Sequence, residues 1–235
     1  MNEKTKIHVC GFPRSGTMWL ARLIGDALNC PIRFREFSEG LERESTLGVY
    51  HCHDLPSCFE RDDLVLRIVR DPRDVAVSHA KYWHDSLEDC VASMCGNYYD
   101  APAGGWHVYE FAWLESGFDC GTVRYEDLLA CPEMEIETLL KYLNLWHNSE
   151  NLSQVVEHRS FENELLRQDR QNEQVVAPRN LLWRGQAGTW TQYFYKSLGA
   201  QAEVAWGHTM RRWGYTSSSR WWESLPDSPR LEVQI

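Results

Sequence analysis

Short apolar runs alternate along the chain with segments in which apolar residues recur at helical spacing. The runs at 6–12, 48–53 and 64–70 predict buried strands, and 120–128 predicts a fourth strand that leaves into a turn. Strands separated by helices favour a parallel sheet with helices on both faces, because each parallel neighbour requires a crossover. The pattern therefore predicts an α/β fold, a three-layer sandwich with a central parallel sheet.

The predicted helices are marked by spacing and by the residues at their ends. Apolar residues from Trp19 to Leu28 recur three and four positions apart after the first strand. Asp71 can cap a second helix, with Pro72 at its first position, where proline is tolerated. Three further segments carry helical patterns: 107–116, 132–145 and 192–214.

The length of 235 residues and the hydrophobic content of 43% suit a globular protein. We expect a single domain over residues 1–235, with an irregular C-terminal tail from about residue 216. No stretch approaches the roughly 18 apolar residues that cross a bilayer, and the N-terminal residues lack the apolar core of a signal peptide. These features predict a cytoplasmic protein with no membrane partner.

The net charge and the cysteine spacing argue against two further classes of function. A net charge of −10 argues against a general nucleic-acid-binding protein, which would usually be basic. An acidic protein that binds a polyanion must concentrate its cations in one place. The positions of the arginines should therefore indicate where such a ligand binds. The eight cysteines form neither a C-x-x-C pair nor a zinc spacing, which predicts reduced thiols and no metal bound through cysteine.

The segment GFPRSGTMWL, residues 11–20, joins the first strand to the first helix. Its glycines have the spacing of a Walker loop, G-x-x-x-x-G-K-[ST], but Thr17 takes the lysine position and the positive charge lies at Arg14. Backbone N–H groups at the start of a helix face an anion, and the helix dipole favours it. We predict a P-loop-like phosphate-binding loop, with an ordinary strand-to-helix turn as the alternative.

A second candidate anion site lies in RDPRDVAVS, where Arg70 ends the third predicted strand and Ser78 lies on the following helix. Both side chains can reach one phosphate, and the planar guanidinium suits that ligand. The alternative is a surface ion pair between Arg70 and Asp71 or Asp74. Farther along the chain, the glycines around Arg184 in LLWRGQAGTW indicate either a helix-ending turn or a flexible loop that closes over an anion.

His51 and His53 are two residues apart, so on a strand they share one face. Three interpretations are open. They are a metal pair, which would need further ligands, a site with one catalytic base, or structural histidines with satisfied hydrogen bonds.

Five segments, in order along the chain, resemble the motifs of the sulfotransferases that use 3'-phosphoadenosine-5'-phosphosulfate (PAPS). PRSGTMWL resembles the family's P-K-S-G-T-T-W-L loop, and YHCHDLP resembles K-T-H-x-L-P. RDPRDVAVS resembles R-N-P-[KR]-D-x-x-x-S, and RYEDL matches Y-E-D-L. RGQAGTW resembles the late R-K-G-x-x-G-D-W loop. The resemblance implies an α/β fold with a central parallel sheet.

The resemblance also implies roles for individual residues. PAPS would be the cofactor and adenosine 3',5'-bisphosphate (PAP) the product, His53 the catalytic base and Arg14 a catalytic cation. The residues implied to bind the cofactor are Arg14, Ser15, Gly16, Thr17, Met18, Trp19, Arg70, Ser78, Tyr125, Ser160, Phe161, Arg184 and Gly185.

Some positions depart from the family motifs. Arg14 and His51 stand where the family has lysine, and Trp183 stands where the late loop has its first arginine. Arg159 replaces a threonine before Ser160, which makes it a candidate substitute for phosphate binding.

The implied reaction is an in-line attack on sulfur by an acceptor hydroxyl or amine. It requires no metal, because arginines and backbone amides cover the charge. The acidic balance and many aromatic residues favour a cationic or aromatic small-molecule acceptor, such as a natural product, with His51, Tyr82 and Trp83 as candidate contacts. Two alternatives stay open. One is a P-loop nucleotide kinase or NTPase, against which Thr17 counts, and the other is a non-catalytic nucleotide-binding protein of the same fold.

Overall fold

Five short strands form one parallel sheet in the computed structural model, which describes residues 6–34, 48–96, 104–146, 152–172 and 185–233. The strands are β1 (Lys6–Cys10), β2 (Ile32–Phe34), β3 (Gly48–Cys52), β4 (Leu64–Val69) and β5 (Gly121–Arg124). Their order across the sheet is β2-β3-β1-β4-β5, and every neighbouring pair is parallel. The predicted parallel sheet is confirmed.

Nine α-helices lie in the described ranges. They are α1 (Thr17–Ala27), α2 (Pro72–Trp83), α3 (Leu87–Cys95), α4 (Trp106–Glu115), α5 (Tyr125–Ala130), α6 (Pro132–Tyr142), α7 (Leu152–His158), α8 (Phe161–Asn172) and α9 (Lys196–Arg212). The chain divides into two compact units. The sheet unit comprises residues 1–69 and 117–167, and the helical unit comprises 70–116 and 168–235.

The sheet unit is built around strands that are buried on both faces, as expected for parallel strands covered by helices. Four of the five residues of β1 are buried, and β4 is buried from its second residue onward. Side chains of α1 and α6 pack with the strands into one core that includes Ile7, Val9, Leu20, Ile24, Leu66, Ile68, Ile136 and Leu139. Burying each such side chain contributes roughly 1.5–3 kcal/mol relative to exposure.

The helical unit has an aromatic core. On α4 the buried residues Trp106, Tyr109 and Trp113 recur at helical spacing, so they share one face. Trp106 meets Trp206 of α9 with their ring centroids 6.4 Å apart, and the Trp206 indole donates to the carbonyl of Met94 at 3.2 Å. Three of the eleven tryptophans, Trp106, Trp113 and Trp206, are therefore core residues.

Local signals predicted several helix boundaries well. The Asp71 side chain accepts a hydrogen bond from the backbone N–H of Arg73, and α2 begins at Pro72, as predicted. By contrast, residues 125–128 are not part of a strand, because the chain enters α5 directly after β5. The pattern also missed β2, which has only three residues and is too short to show alternation.

The expectation that the cysteines are all reduced is wrong for one pair. Cys10 and Cys52 lie opposite each other at the ends of β1 and β3, and they form a disulfide. Their Cα atoms are 5.0 Å apart, which is within the range of disulfide geometry. A separation of 42 residues leaves no spacing signal for this pairing in the sequence.

Within the described ranges, none of the helices is both long and apolar enough to span a bilayer.

Candidate active site

The loop between β1 and α1 makes its sharp turn with two residues in the left-handed region. Arg14 has φ 68° and Gly16 has φ 94°. The backbone N–H of Ser15 donates to the carbonyl of Phe12 at 3.1 Å, which closes the turn. The chain then enters α1 at Thr17, so the N–H groups of the first helical turn face out of the helix end.

Two glycines of this loop lie where a side chain would not fit. A Cβ on Gly16 would meet the Tyr125 ring at 2.8 Å, and a Cβ on Gly11 would meet the carbonyl oxygen of Ile68 at 2.5 Å. Gly16 also needs its positive φ, which a side chain disfavours. The predicted loop is thus pressed against β4 and against the first residue of α5.

The loop offers donors that fit an anionic group. Ser15 is fully buried, and in the described part of the chain its Oγ has no hydrogen-bond partner. A buried hydroxyl without a partner costs free energy, so it indicates a ligand atom within reach. The first-turn N–H groups of α1 have no acceptor inside the helix, and Arg14 supplies a positive charge. The residues at this loop therefore fit the phosphosulfate end of PAPS.

His53 lies just after β3 and is anchored by the same loop. Its Nδ1 is 2.6 Å from the carbonyl oxygen of Gly11. Because a carbonyl oxygen only accepts, Nδ1 carries the proton and donates, which leaves the lone pair on Nε2. Burial lowers the pKa of His53, assisted by the Arg14 charge and opposed by the Gly11 hydrogen bond and the Asp54 charge. The imidazole is neutral at neutral pH, and Nε2 can accept a proton.

His51 packs edge-on against His53, with the ring centroids 4.8 Å apart. Burial, the nearby His53 and the Arg22 charge lower the pKa of His51 to about 3. This residue is therefore uncharged at neutral pH, unlike the lysine of the motif that it replaces. No group of three or more His, Cys, Asp or Glu side chains in the described ranges is arranged to hold a metal ion.

Trp19 and Tyr125 meet in the sheet unit. Their ring centroids are 5.8 Å apart in an edge-to-face contact, and the Trp19 indole donates to the carbonyl of Arg159 at 2.9 Å. Ser160 lies beside Arg159, and its Oγ accepts from the N–H of Asn163 at 3.4 Å where α8 begins at Phe161. These predicted cofactor residues are thus grouped with the loop in one unit.

The Arg159 guanidinium donates hydrogen bonds to two carboxylates, which is a different role from the phosphate binding that the sequence suggests for this residue. Its Nε and Nη2 donate to Asp26 at 2.7 and 2.8 Å, and its Nη1 donates to Glu164 at 2.9 Å. Burial favours a higher pKa for Asp26, but the hydrogen bonds and charges of Arg159 and His158 outweigh it and hold the pKa below its usual range. Arg22 also pairs with Glu164. Arg159 therefore ties α1 to the segment around α8.

In the helical unit, Arg70 is buried, with 8% of its surface exposed, so it is not a surface charge. Its Nη2 lies 3.4 Å from the carbonyl oxygen of Gln186, next to Gly185. Asp71 instead forms an ion pair with Arg73 at 2.6 Å. The structure brings Arg70 and the late glycine-containing segment together, as the hypothesis of a shared anion site requires.

The remaining predicted residues lie in different surroundings. Ser78 is half-buried in the second turn of α2, and Tyr82 and Trp83 end that helix with their ring centroids 4.8 Å apart. Trp83 is 36% exposed. Trp183 and Arg184 lie outside the described residues.

Sequence reasoning missed the contact between Asp74 and residues 188–190. The sequence suggests Asp74 as an ion-pair partner of Arg70 and as a position of the family motif, whereas its carboxylate accepts hydrogen bonds from residues 188–190. The nearest of these partners in sequence is 114 residues away, so no local pattern could reveal it.

Comparison with known proteins gives consistent matches. A family model described as a sulfotransferase domain matches residues 49–214. Sulfotransferase 1 family member D1 of Rattus norvegicus is 25% identical, over 80% of this chain and 77% of its own. Sulfotransferase 1B1 of Canis lupus familiaris is 23% identical, over 87% of this chain and 83% of its own.

Solved structures with the same fold include mouse sulfotransferase SULT7A1 complexed with PAP. It has a TM-score of 0.72 and 16% identity, and the match covers 94% of this chain and 88% of that one. Retinol dehydratase in complex with androsterone and PAP has a TM-score of 0.68 and 17% identity, with 90% and 82% covered. These matches confirm the α/β fold with a central parallel sheet.

Proposed function

The chain belongs to the sulfotransferase family, and from that premise we propose which of its residues bind PAPS and which carry out the transfer. The protein is a PAPS-dependent sulfotransferase. PAPS supplies the sulfuryl group and leaves as PAP. The observation that carries the assignment of residues is the hydrogen bond of 2.6 Å between His53 Nδ1 and the Gly11 carbonyl, which attaches a neutral imidazole to a phosphate-binding loop.

His53 is the general base of the reaction. Its Nε2 takes the proton from the acceptor hydroxyl or amine while the acceptor atom forms a bond to sulfur and the bond from sulfur to the phosphate oxygen breaks. General-base catalysis of this kind contributes about 10²–10⁴-fold in rate. The hydrogen bond at Nδ1 supports this role because it fixes the tautomer that has a lone pair on Nε2.

The loop is the electrostatic part of the site. Arg14, the Ser15 hydroxyl and the first-turn N–H groups of Thr17, Met18 and Trp19 neutralise charge on the phosphosulfate oxygens as the leaving group departs. The fully buried Ser15 Oγ supports this assignment, because a sulfate or phosphate oxygen would satisfy it. Gly16 allows the close approach of the backbone.

Arg70 and Ser78 bind the 3'-phosphate of the nucleotide, the group that distinguishes PAPS from ATP. The buried guanidinium of Arg70 and its contact with Gln186 support this role. The family motifs extend the proposal to Gly185 and Arg184 for the same phosphate. They also extend it to Tyr125, Ser160 and Phe161 as further nucleotide contacts, of which Tyr125 packs against the loop glycine Gly16.

The acceptor is a small molecule that bears a hydroxyl or amine. Retinol dehydratase, a structural neighbour, is described in complexes with androsterone and with retinol, which supports an acceptor of small-molecule size. The net charge of −10 and the many aromatic residues support the finer proposal of a cationic or aromatic acceptor, contacted by His51, Tyr82 and Trp83. We also propose that residues 1–235 act as one sulfotransferase domain and that the protein works in the cytoplasm.

A thermal-shift experiment tests the cofactor assignment. PAP at about 100 times its Kd should stabilise the folded chain by roughly 2.7 kcal/mol, a rise in Tm of about 5–10 °C for a chain of this length. ATP with magnesium serves as the comparison. A shift with ATP and magnesium but none with PAP would overturn the assignment. If PAP gives the expected shift, a PAPS-coupled screen of phenols, alcohols and amines identifies the acceptor.

A further inference from the structure

Residues 185–190, which we call the late loop, are hydrogen-bonded to the Asp74 carboxylate of helix α2. Asp74 is 1% exposed, and its carboxylate accepts hydrogen bonds from three donors of this loop. Its Oδ2 accepts from the N–H of Gly188 at 2.6 Å, and its Oδ1 accepts from the Thr189 hydroxyl and the Trp190 N–H, both at 2.9 Å. Hydrogen bonds to a charged acceptor are the strong ones, so this contact holds the loop firmly.

The neighbouring residue of α2 holds the end of the same loop. The Arg73 guanidinium carbon lies 3.8 Å from the ring centroid of Trp190 and 4.7 Å from that of Trp221. Its nitrogens donate to Asp71 at 2.6 Å and to the carbonyl of Tyr215 at 2.8 Å. Arg73 is therefore fixed in place, and Trp190 packs on a rigid cation.

The spacing along α2 relates this contact to the proposed 3'-phosphate site. Asp74 and Ser78 are four residues apart on α2, so they are neighbours on one helix face. Arg70 precedes the helix by two residues and reaches the carbonyl of Gln186 in the late loop. The loop thus runs beside the segment that bears both proposed phosphate ligands.

We propose that Asp74 is a positioning residue for the 3'-phosphate, which it aligns through the late loop. The inference rests on the proposed role of Arg70 and Ser78 in binding that phosphate. The three donors from residues 188–190 also satisfy the charge of the Asp74 carboxylate. If the loop were released, that charge would face a bound phosphate and repel it. The contact therefore raises the affinity for the 3'-phosphate in two ways. The carboxylate fixes the loop, and the donors of the loop neutralise the charge of the carboxylate.

The test compares two threonine variants by isothermal titration with PAP and with adenosine 5'-phosphate, which lacks the 3'-phosphate. Thr189→Val removes one donor to Asp74 at nearly constant volume. The matched control is Thr191→Val, because the exposed Thr191 hydroxyl donates to the Gly188 carbonyl and not to the carboxylate. Wild type should prefer PAP by at least tenfold. Thr189→Val should lower this preference by roughly tenfold, the loss expected for a hydrogen bond to a charged group.

Asp74→Asn provides the stronger perturbation, and its thermal unfolding is recorded to confirm that it folds. It should lower the preference for PAP further while leaving the affinity for adenosine 5'-phosphate within about threefold, since the effect acts through the 3'-phosphate. A purely structural Asp74 would lower Tm and both affinities together, which would overturn the inference. A wild type that binds both nucleotides equally would instead refute the proposed 3'-phosphate site itself.

Discussion

His53 and Gly11 are joined by a hydrogen bond in which the imidazole Nδ1 donates to the backbone carbonyl at 2.6 Å. Each residue directly follows a strand of the sheet, and the last residues of those strands, Cys10 and Cys52, lie opposite each other. The sheet register thus continues into the candidate site and brings the proposed base to the first residue of the proposed phosphate-binding loop. A backbone acceptor holds the imidazole without adding a second titrating group.

Replacing His53 by alanine should separate catalysis from nucleotide binding. We expect kcat to fall by about 10²–10⁴-fold, because the acceptor proton loses its base. The affinity for PAP should change by less than about threefold, because the loop keeps its donors. The measurements are steady-state kinetics and titration with PAP. His158→Ala, a change at an exposed imidazole of the same unit, is the control and should retain its rate. A His53→Ala enzyme with near-wild-type turnover would remove the base assignment.

The depressed pKa of His51 predicts an acid-sensitive fold. In the unfolded chain this imidazole titrates near 6.5, whereas in the folded chain burial lowers its pKa to about 3. Between these values the unfolded state binds the proton and the folded state does not, so stability falls as the pH is lowered through this window. The slope is about 1.4 kcal/mol per pH unit.

Urea unfolding of wild type and of His51→Gln at pH 7 and pH 5 measures this effect. From pH 7 to pH 5 wild type should lose about 2 kcal/mol more than the variant, because glutamine does not titrate. Contributions from groups that do not interact with His51 cancel in the comparison. Equal losses in the two proteins would show that His51 is not the buried neutral imidazole described above.

Much of the fold and part of the site are predictable because their signals are local. The turn at Arg14 and Gly16 and the start of α2 at Pro72 follow from residues within one or two turns of each other. Five of the six residues of strand β4 are apolar, which is typical of a buried parallel strand. Segments at the carboxyl ends of such strands lie at the same edge of the sheet, which is why the proximity of the loop and His53 follows from where their motifs lie along the chain.

The features that escaped prediction depend on contacts between distant residues. The Cys10–Cys52 disulfide spans 42 residues, and Asp74 meets the late loop across 114. Arg159 occupies a motif position that suggested phosphate binding, but its guanidinium donates hydrogen bonds to Asp26 and Glu164. Nothing near these residues in sequence encodes their partners, since the sheet register and helix packing select them.

Arg14 offers a test of whether charge alone is needed at this position of the loop. Arg14→Lys keeps the positive charge and Arg14→Gln removes it, and both variants share the strained φ of 68°. We expect the lysine variant to retain kcat within about tenfold and the glutamine variant to lose about 10²–10³-fold, the range for removing one group that stabilises the developing charge. Single-turnover sulfuryl transfer measures the difference. Equal rates in the two variants would exclude a catalytic cation here.

Arg70→Ala should remove selectivity for the 3'-phosphate. Wild type is expected to bind PAP more tightly than adenosine 5'-phosphate, and the variant should lose roughly 10–100-fold of that ratio, corresponding to about 1.5–3 kcal/mol for a charged hydrogen bond. Arg61→Ala, at an exposed arginine outside the proposed site, is the control. Competitive titration of the two nucleotides gives the ratio directly. Equal weakening of both nucleotides would assign Arg70 a structural role.

Gly16→Ala tests whether the close packing at the loop is required for both folding and binding. The new Cβ would lie 2.8 Å from the Tyr125 ring at a φ of 94°, so we expect conformational strain of about 1–2 kcal/mol and a further loss from the collision. Gly117→Ala is the matched control, because its φ is 63° and no atom lies within 4 Å of an added Cβ. The control should show the strain alone and keep its affinity for PAP. Gly16→Ala should lose more stability in urea and also bind PAP at least tenfold more weakly, because the displaced loop no longer aligns Ser15 and the helix N–H groups. If the two variants unfold and bind alike, the contact between Gly16 and Tyr125 has no role in shaping the site.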